Sequence, residues 1–164
     1  MRTTGMKRAL VGAAIAAFAM NASAAHAAQA TATAKAKILA PLTITNNSDL
    51  DFATIVSGAA ASTVTVTPAG APTCGSGLTC IGTVSAAGFT LGGTSGASVG
   101  ISGPATVTLT SGSNNMTAAL TYSATSVTLS SGAGTFSVGG TLNVGANQAA
   151  GNYSGTFNVT ANYQ

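Results

Sequence analysis

Few residues of this 164-residue chain could carry out chemistry. Beyond residue 27 the sequence has no His, Glu, Arg or Trp, and its only charged side chains belong to Lys35, Lys37, Asp49 and Asp51. Proton transfer near neutral pH and metal binding both rely on residue types that are missing or scarce here. We therefore expect a protein that is not an enzyme and that uses no cofactor.

The first 27 residues have the three parts of a secretory signal peptide. Three basic residues precede an apolar run over residues 9–20, and small-residue cleavage sites follow. The run is too short to cross a bilayer, which takes about 20 apolar residues. We predict cleavage after Ala27, with Ala24 as the alternative. We therefore expect an exported protein without stable membrane insertion.

The mature chain carries no net side-chain charge, because two Lys balance two Asp. No basic patch remains that could neutralise phosphates, and this excludes nucleic acid as a partner. Near-zero charge weakens the repulsion between copies, so the surface suits an assembled state. The length predicts one domain, with a signal peptide over residues 1–27, an N-terminal extension over residues 28–38 and a β-sandwich over residues 39–164.

Cys74 and Cys80 are the only cysteines, and both lie in the part of the chain that we expect to be exported. Only one pairing is available, and an oxidising compartment favours it. The alternative, a redox-active pair, more usually has the tighter C-x-x-C spacing. We predict a structural disulfide at the end of a loop or hairpin, worth about 2 kcal/mol of stability.

Alternation of apolar and polar residues predicts strands almost throughout the mature chain, and no helix. Gly, Pro, Ser and Asn clusters, including Gly139-Gly140, predict turns between short strands, the pattern of an antiparallel sandwich. The residues expected to face the core are Val64, Val66, Val107, Leu109, Met116, Leu120, Tyr122, Phe136 and Val138.

Residues 46–51 form a polar segment that contains both carboxylates. One interpretation is a site for Ca²⁺, which prefers oxygen ligands, but two carboxylates fall short of the usual ligand set. The other interpretation, which we adopt, is a turn without metal.

The N-terminal extension (residues 28–38) alternates small and polar residues. Its small face comprises Ala28, Ala30, Ala32, Ala34, Ala36 and Ile38. Three interpretations follow: a strand donated to another subunit, an ordinary first strand of the same sandwich, and a disordered leader.

The C-terminus, like the N-terminal extension, alternates more regularly than the rest of the mature sequence. Residues 153–163 predict one strand of about eleven residues, with Tyr153, Phe157, Val159 and Tyr163 on the core face. The tyrosines could stack on sugar rings, but the alternation directs them inward and favours core packing.

Several blocks together resemble the bacterial domain-of-unknown-function 4402 family. They are Ile38-Leu39-Ala40-Pro41-Leu42-Thr43-Ile44, Leu50-Asp51-Phe52-Ala53-Thr54-Ile55, Gly88-Phe89-Thr90-Leu91-Gly92-Gly93, Val138-Gly139-Gly140-Thr141-Leu142-Asn143-Val144 and Ala150-Gly151-Asn152-Tyr153-Ser154-Gly155-Thr156-Phe157. The last block also resembles fimbrial subunits and spore-coat-U-like pilins. Ala53 stands where the family tends to have Gly.

The resemblance implies an immunoglobulin-like sandwich related to bacterial pilins, with no catalytic residues to carry over. We predict a structural subunit of a fimbria or surface filament that assembles by strand exchange. The resemblance implies a location in the periplasm or at the bacterial cell surface. Its expected partners are further copies of itself or other pilin-like subunits, and the resemblance adds a periplasmic chaperone and an outer-membrane usher as candidates. The alternative is a monomeric secreted adhesin that binds a glycan through its loops.

Overall fold

The computed structural model describes residues 27–164, so the predicted signal peptide lies outside the described residues except for Ala27. Lys37–Gln164 forms one compact unit, and residues 39–164 of this unit are called the sandwich below. Residues 27–36 lie outside this unit, exposed and without regular secondary structure. Within the described part of the chain, no helix is long and apolar enough to span a bilayer.

The described residues form twelve strands and no helix, which confirms the predicted all-β class. The strands are β1 (Thr43–Ser48), β2 (Thr54–Val56), β3 (Ser62–Val66), β4 (Pro72–Cys74), β5 (Thr79–Ile81), β6 (Ala87–Gly92), β7 (Ser98–Ser102), β8 (Thr106–Ser111), β9 (Asn114–Tyr122), β10 (Ser126–Thr128), β11 (Ala133–Val144) and β12 (Thr160–Tyr163).

All strand pairs are antiparallel, and they form three sheets. The large sheet has seven strands, in which β11 pairs with β6, β3 and β9; β1 and β4 continue it on one side and β8 on the other. A second sheet has the order β10-β7-β12, and β2 and β5 form a separate two-stranded ribbon.

The core lies between these sheets in two clusters. The first joins the large sheet to the second sheet and includes the stacked rings of Phe89 and Phe136, whose centroids are 5.0 Å apart. The second joins the large sheet to the ribbon. All nine predicted core residues face inward: five are buried, and Leu109, Met116, Leu120 and Tyr122 are half-buried.

The predicted turn at Gly139-Gly140 is wrong, because β11 runs straight through both glycines. Here β11 changes its partner from β6 to β3. A Cβ atom at Gly139 would fall within 2.6 Å of backbone atoms of Thr67 and Pro68. The two glycines therefore permit a close approach between backbones instead of a reversal of the chain.

The predicted eleven-residue C-terminal strand is also too long, since β12 covers only its last four residues. Ser154 forms an isolated bridge with Thr110 of β8, whereas Thr160–Tyr163 pairs with β7. The segment thus crosses from one sheet to the other and cannot pair continuously. Its predicted faces are correct nonetheless: Tyr153, Phe157, Val159 and Tyr163 are all half-buried, and the polar residues between them are exposed.

The polar segment 46–51 is not a simple turn. Asn46 and Ser48 belong to β1 and pair with β6, with a bulge between them. Asp51 pairs with Ser85 in an isolated bridge. Within the described residues, no group of three or more His, Cys, Asp or Glu side chains comes together.

Candidate functional site

The beginning and the end of the sandwich lie side by side and run in opposite directions. At one end the Tyr163 hydroxyl donates a hydrogen bond of 2.9 Å to the carbonyl of Ala40. At the other end the N–H of Asn147 donates to the carbonyl of Gly58 at 2.8 Å. We call the boundary between these two bonds the seam; its sides are residues 40–58 and residues 147–163.

The sides of the seam do not pair with each other as strands. On one side β1 pairs only with β6 and β2 only with β5, and on the other β12 pairs only with β7. Ile44 of β1 lies opposite the fully buried Leu91, so it faces the core, yet it is 38% exposed. The seam therefore leaves inward-facing apolar surface uncovered.

A cleft of about 590 Å³ lies in the seam. Its walls are residues 50–57 and residues 148–153. Its floor consists of four apolar side chains from three strands of the large sheet: Leu109, Met116, Leu142 and Val144. Leu109 and Met116 are half-buried because they lie under this cleft instead of under another strand.

The wall formed by residues 50–57 is held in place by the disulfide. Cys74 lies in β4 and pairs with Val64 of the large sheet, whereas Cys80 lies in β5 and pairs with Ile55 of the wall. The Cys74–Cys80 bond confirms the predicted disulfide. It does more than close a loop, since it ties the β2–β5 ribbon to the large sheet.

The wall formed by residues 148–153 is stabilised by its own hydrogen bonds. The Tyr153 hydroxyl donates to the carbonyl of Ala149 at 2.8 Å and accepts from Nε2 of Gln148 at 2.8 Å. The Ser57 hydroxyl donates to the carbonyl of Gln148 at 3.1 Å, which closes this end of the cleft. The Tyr153 hydroxyl therefore stabilises the wall through its bonds to Gln148 and Ala149.

Ser85 fixes the part of the wall that carries the carboxylates. Its N–H and C=O exchange hydrogen bonds of 3.0 and 2.9 Å with Asp51, and its hydroxyl donates to the carbonyl of Asp49 at 2.7 Å. The side-chain Oδ1 of Asp51 accepts from the N–H of Ala53 at 2.8 Å. Ala53 has a φ of 58°, a left-handed conformation that favours Gly.

The N-terminal extension forms no strand, so the described chain does not contain the ordinary first strand that one interpretation predicted. Residues 28–38 are all exposed, and Ile38 is 92% exposed. The small face of the extension, Ala28, Ala30, Ala32, Ala34, Ala36 and Ile38, thus has no covering partner strand in the described residues.

Sequence reasoning singled out residues 153–163 as a core-facing strand, but it predicted neither the seam nor its other side. Residues 50–55 appear in the sequence as a family block, with no sign that they belong to the wall of a cleft. Gln148, which bonds to both Tyr153 and the neighbouring backbone, lies in a segment without periodicity.

The fold and the cleft define an all-β protein built as an antiparallel sandwich with an unpaired seam between its first and last strands. The chain belongs to the family described as domain of unknown function DUF4402, whose model matches residues 42–163. This confirms the family that the sequence blocks resemble. A comparison with curated proteins finds no match to this chain.

Proposed function

We propose that this protein is an exported, pilin-like structural subunit that polymerises by strand exchange. The N-terminal extension of one copy enters the seam of the next and adds a strand there. The observation that carries the proposal is the cleft, which exposes core side chains between two chain segments that do not pair with each other.

Strand addition needs a free sheet edge and apolar pockets beneath it. The free edge comes from the seam, where Asp51 turns both its N–H and its C=O toward Ser85. Backbone groups alternate sides along an extended chain, so we expect those of Leu50 and Phe52 to point away from Ser85, where an added strand could bond to them. The pockets come from the floor residues Leu109 and Met116.

The extension has the properties that an inserted strand needs. Its side chains alternate between small apolar residues and polar ones, so one face suits a shallow apolar floor while the other remains in water. Each Ala that is buried contributes less than about 1 kcal/mol, but burial of Ile38 contributes about 1.5–3 kcal/mol. Main-chain hydrogen bonds add to this.

The test is the assembly state of the exported protein. Protein recovered without heating should give a ladder of bands on a denaturing gel, and boiling should collapse the ladder to one band. A matched variant that lacks residues 28–34 should be exported and folded but should run as a single band without heating. Electron microscopy of sheared surface material should reveal filaments for the complete chain only.

A single unheated band from the complete chain, with no filaments, would contradict the proposal. The monomeric adhesin would then be the better interpretation. Binding of the exported protein to immobilised glycans tests that alternative directly.

A further inference from the structure

We propose that the four charges of the mature chain select the partner: Lys35 and Lys37 of one copy lie beside Asp49 and Asp51 of the copy whose cleft they enter. The proposal rests on strand exchange as proposed above. A cleft whose floor consists of apolar side chains needs some further feature to select the correct segment of chain, and the charges provide it.

The first observation is how the charges are divided. The N-terminal extension (residues 28–38) contains two Lys and no acid, and residues 39–164 contain two Asp and no base. The extension therefore carries a side-chain charge of +2 and the remainder −2. When the extension of one copy binds to the remainder of another, the +2 and −2 charges offset each other. Contact through any other surface leaves the two charges unneutralised.

The second observation is where the aspartates lie. Asp51 lines the cleft, and Asp49 lies two positions earlier, directly before the wall formed by residues 50–57. Both side chains are exposed, so they can meet a partner without a large desolvation cost. Ser85 binds the backbone of both residues and so fixes the backbone from which the two carboxylates extend.

The third observation is the matching spacing. Lys35 and Lys37 are two residues apart, as are Asp49 and Asp51, and residues two apart on an extended chain project from the same face. The lysines belong to the polar face of the extension, opposite the alanines. When the alanines cover the floor, the lysines therefore remain at the rim, where the carboxylates are.

Exposed ion pairs add little affinity, but charge complementarity has a large effect on association rate and on rejection of wrong partners. Like charges at the same positions repel each other and so disfavour a wrong partner. The pairing thus acts chiefly as a selection device: it attracts the extension to the cleft and disfavours contacts in which two clefts, or two extensions, approach each other.

The test uses a charge-exchanged chain with Lys35→Glu, Lys37→Glu, Asp49→Lys and Asp51→Lys. Its net side-chain charge is zero, as in the natural chain, so general repulsion is unchanged. All four positions are exposed, so the fold should be retained, although Asp51→Lys gives up the hydrogen bond that Oδ1 accepts from the N–H of Ala53. The exchanged chain should assemble with itself, because its extension and its cleft are again complementary.

Purified exported subunits of the two kinds, carrying tags of different size, are then mixed and allowed to assemble. Dimer bands in the unheated ladder report natural, exchanged and mixed junctions separately. At low salt, mixed junctions should be at least about tenfold rarer than random pairing gives, because each places like charges together. In 1 M NaCl the ratio should approach random pairing, because the Debye length falls to about 3 Å.

A neutral variant with Lys35→Gln, Lys37→Gln, Asp49→Asn and Asp51→Asn is the control, and it should form junctions with either chain and without salt dependence. Random mixing of natural and exchanged chains at low salt would overturn the charge pairing while leaving strand exchange intact. Absence of any ladder from the natural chain would instead defeat the proposed function itself.

Discussion

The hydroxyl of Tyr163 and the carbonyl of Ala40 are joined by a hydrogen bond of 2.9 Å, although 123 positions separate the two residues. The same hydroxyl accepts a bond of 2.8 Å from the N–H of Thr94, and the Thr94 Oγ1 accepts one of 2.7 Å from the N–H of Ala40. The three residues tie the point where the chain enters the sandwich to the point where it ends. This cluster closes one end of the seam.

Replacement of Tyr163→Phe should lower the free energy of unfolding by about 1 kcal/mol, because it leaves the Ala40 carbonyl and the Thr94 N–H without their protein partner. The amide of Ala40 should also exchange faster with deuterium. Tyr122→Phe is the matched control: it removes the hydroxyl bond to the carbonyl of Pro104, and it should leave exchange at Ala40 unchanged. Equal exchange at Ala40 in both variants would count against this function of Tyr163.

The disulfide leads to a second prediction. Cys74→Ser with Cys80→Ser should lower the free energy of unfolding by about 2 kcal/mol, because the reduced unfolded chain is less restricted. The bond also holds the wall that contains Ile55, so amides of β2 should exchange faster than those of β11 in the variant. Denaturant unfolding and hydrogen exchange provide the measurements. Free thiols found by alkylation of the folded natural protein would refute the bond.

A third prediction concerns the backbone of Ala53. A left-handed conformation costs a residue other than Gly about 1–2 kcal/mol. Glycine also gives the unfolded chain more conformational freedom, which opposes part of this gain. Ala53→Gly should therefore raise the free energy of unfolding by up to about 1 kcal/mol. Ala119→Gly in β9 is the control and should lower stability, since its φ is not positive. Destabilisation by both substitutions would show that the conformation of Ala53 carries no strain.

Features that depend on neighbouring residues in the sequence could be predicted, whereas features that depend on distant residues could not. Val64 and Val66 face the core because a strand alternates, and the sequence displays that alternation. The need for glycine at position 139 could not be predicted in this way. It arises from the backbone of Thr67 and Pro68, which lie more than seventy positions away in the sequence. A glycine pair that permits close approach and one that forms a turn are identical in sequence.

The cleft could not be predicted for a related reason. Leu109 and Met116 have the same alternation as the fully covered Val107 and Ala118 of the same strands. Whether another segment lies above them is decided by the crossing of the C-terminal chain from β8 to β7. Periodicity tells which face of a strand points inward, and it does not tell whether the inside is filled.

The pH dependence of stability provides a fourth prediction. Burial raises the pKa of the Tyr122 phenol above its ordinary value of 10.0. The folded state therefore favours the protonated phenol, and the corresponding stability is complete below pH 10.0 and is lost as the pH rises through the folded-state pKa. Between about pH 9 and about pH 11.5, the unfolding midpoint of Tyr122→Phe should fall less than that of the natural protein. An identical fall in both would contradict the assignment.

The last prediction concerns the small face of the extension and depends on strand exchange. Ala32→Asp would place a charge over the apolar floor formed by Leu109 and Met116, and burial of an unpaired carboxylate costs several kcal/mol. Assembly should therefore be lost, while the variant remains exported and folded.

Thr31→Asp is the matched control, since it adds the same charge to the polar face one position away. In 1 M NaCl, where charges at the rim are screened, it should still assemble. The two variants are compared by the unheated gel ladder and by the concentration dependence of assembly. If instead the extension completed its own sandwich, Ala32→Asp would lower the unfolding free energy of the monomer at every protein concentration. Equal assembly by the two variants would contradict the donated strand. In a strand inserted in the seam, one face is buried and the other exposed, so a charge on the buried face must have the larger effect.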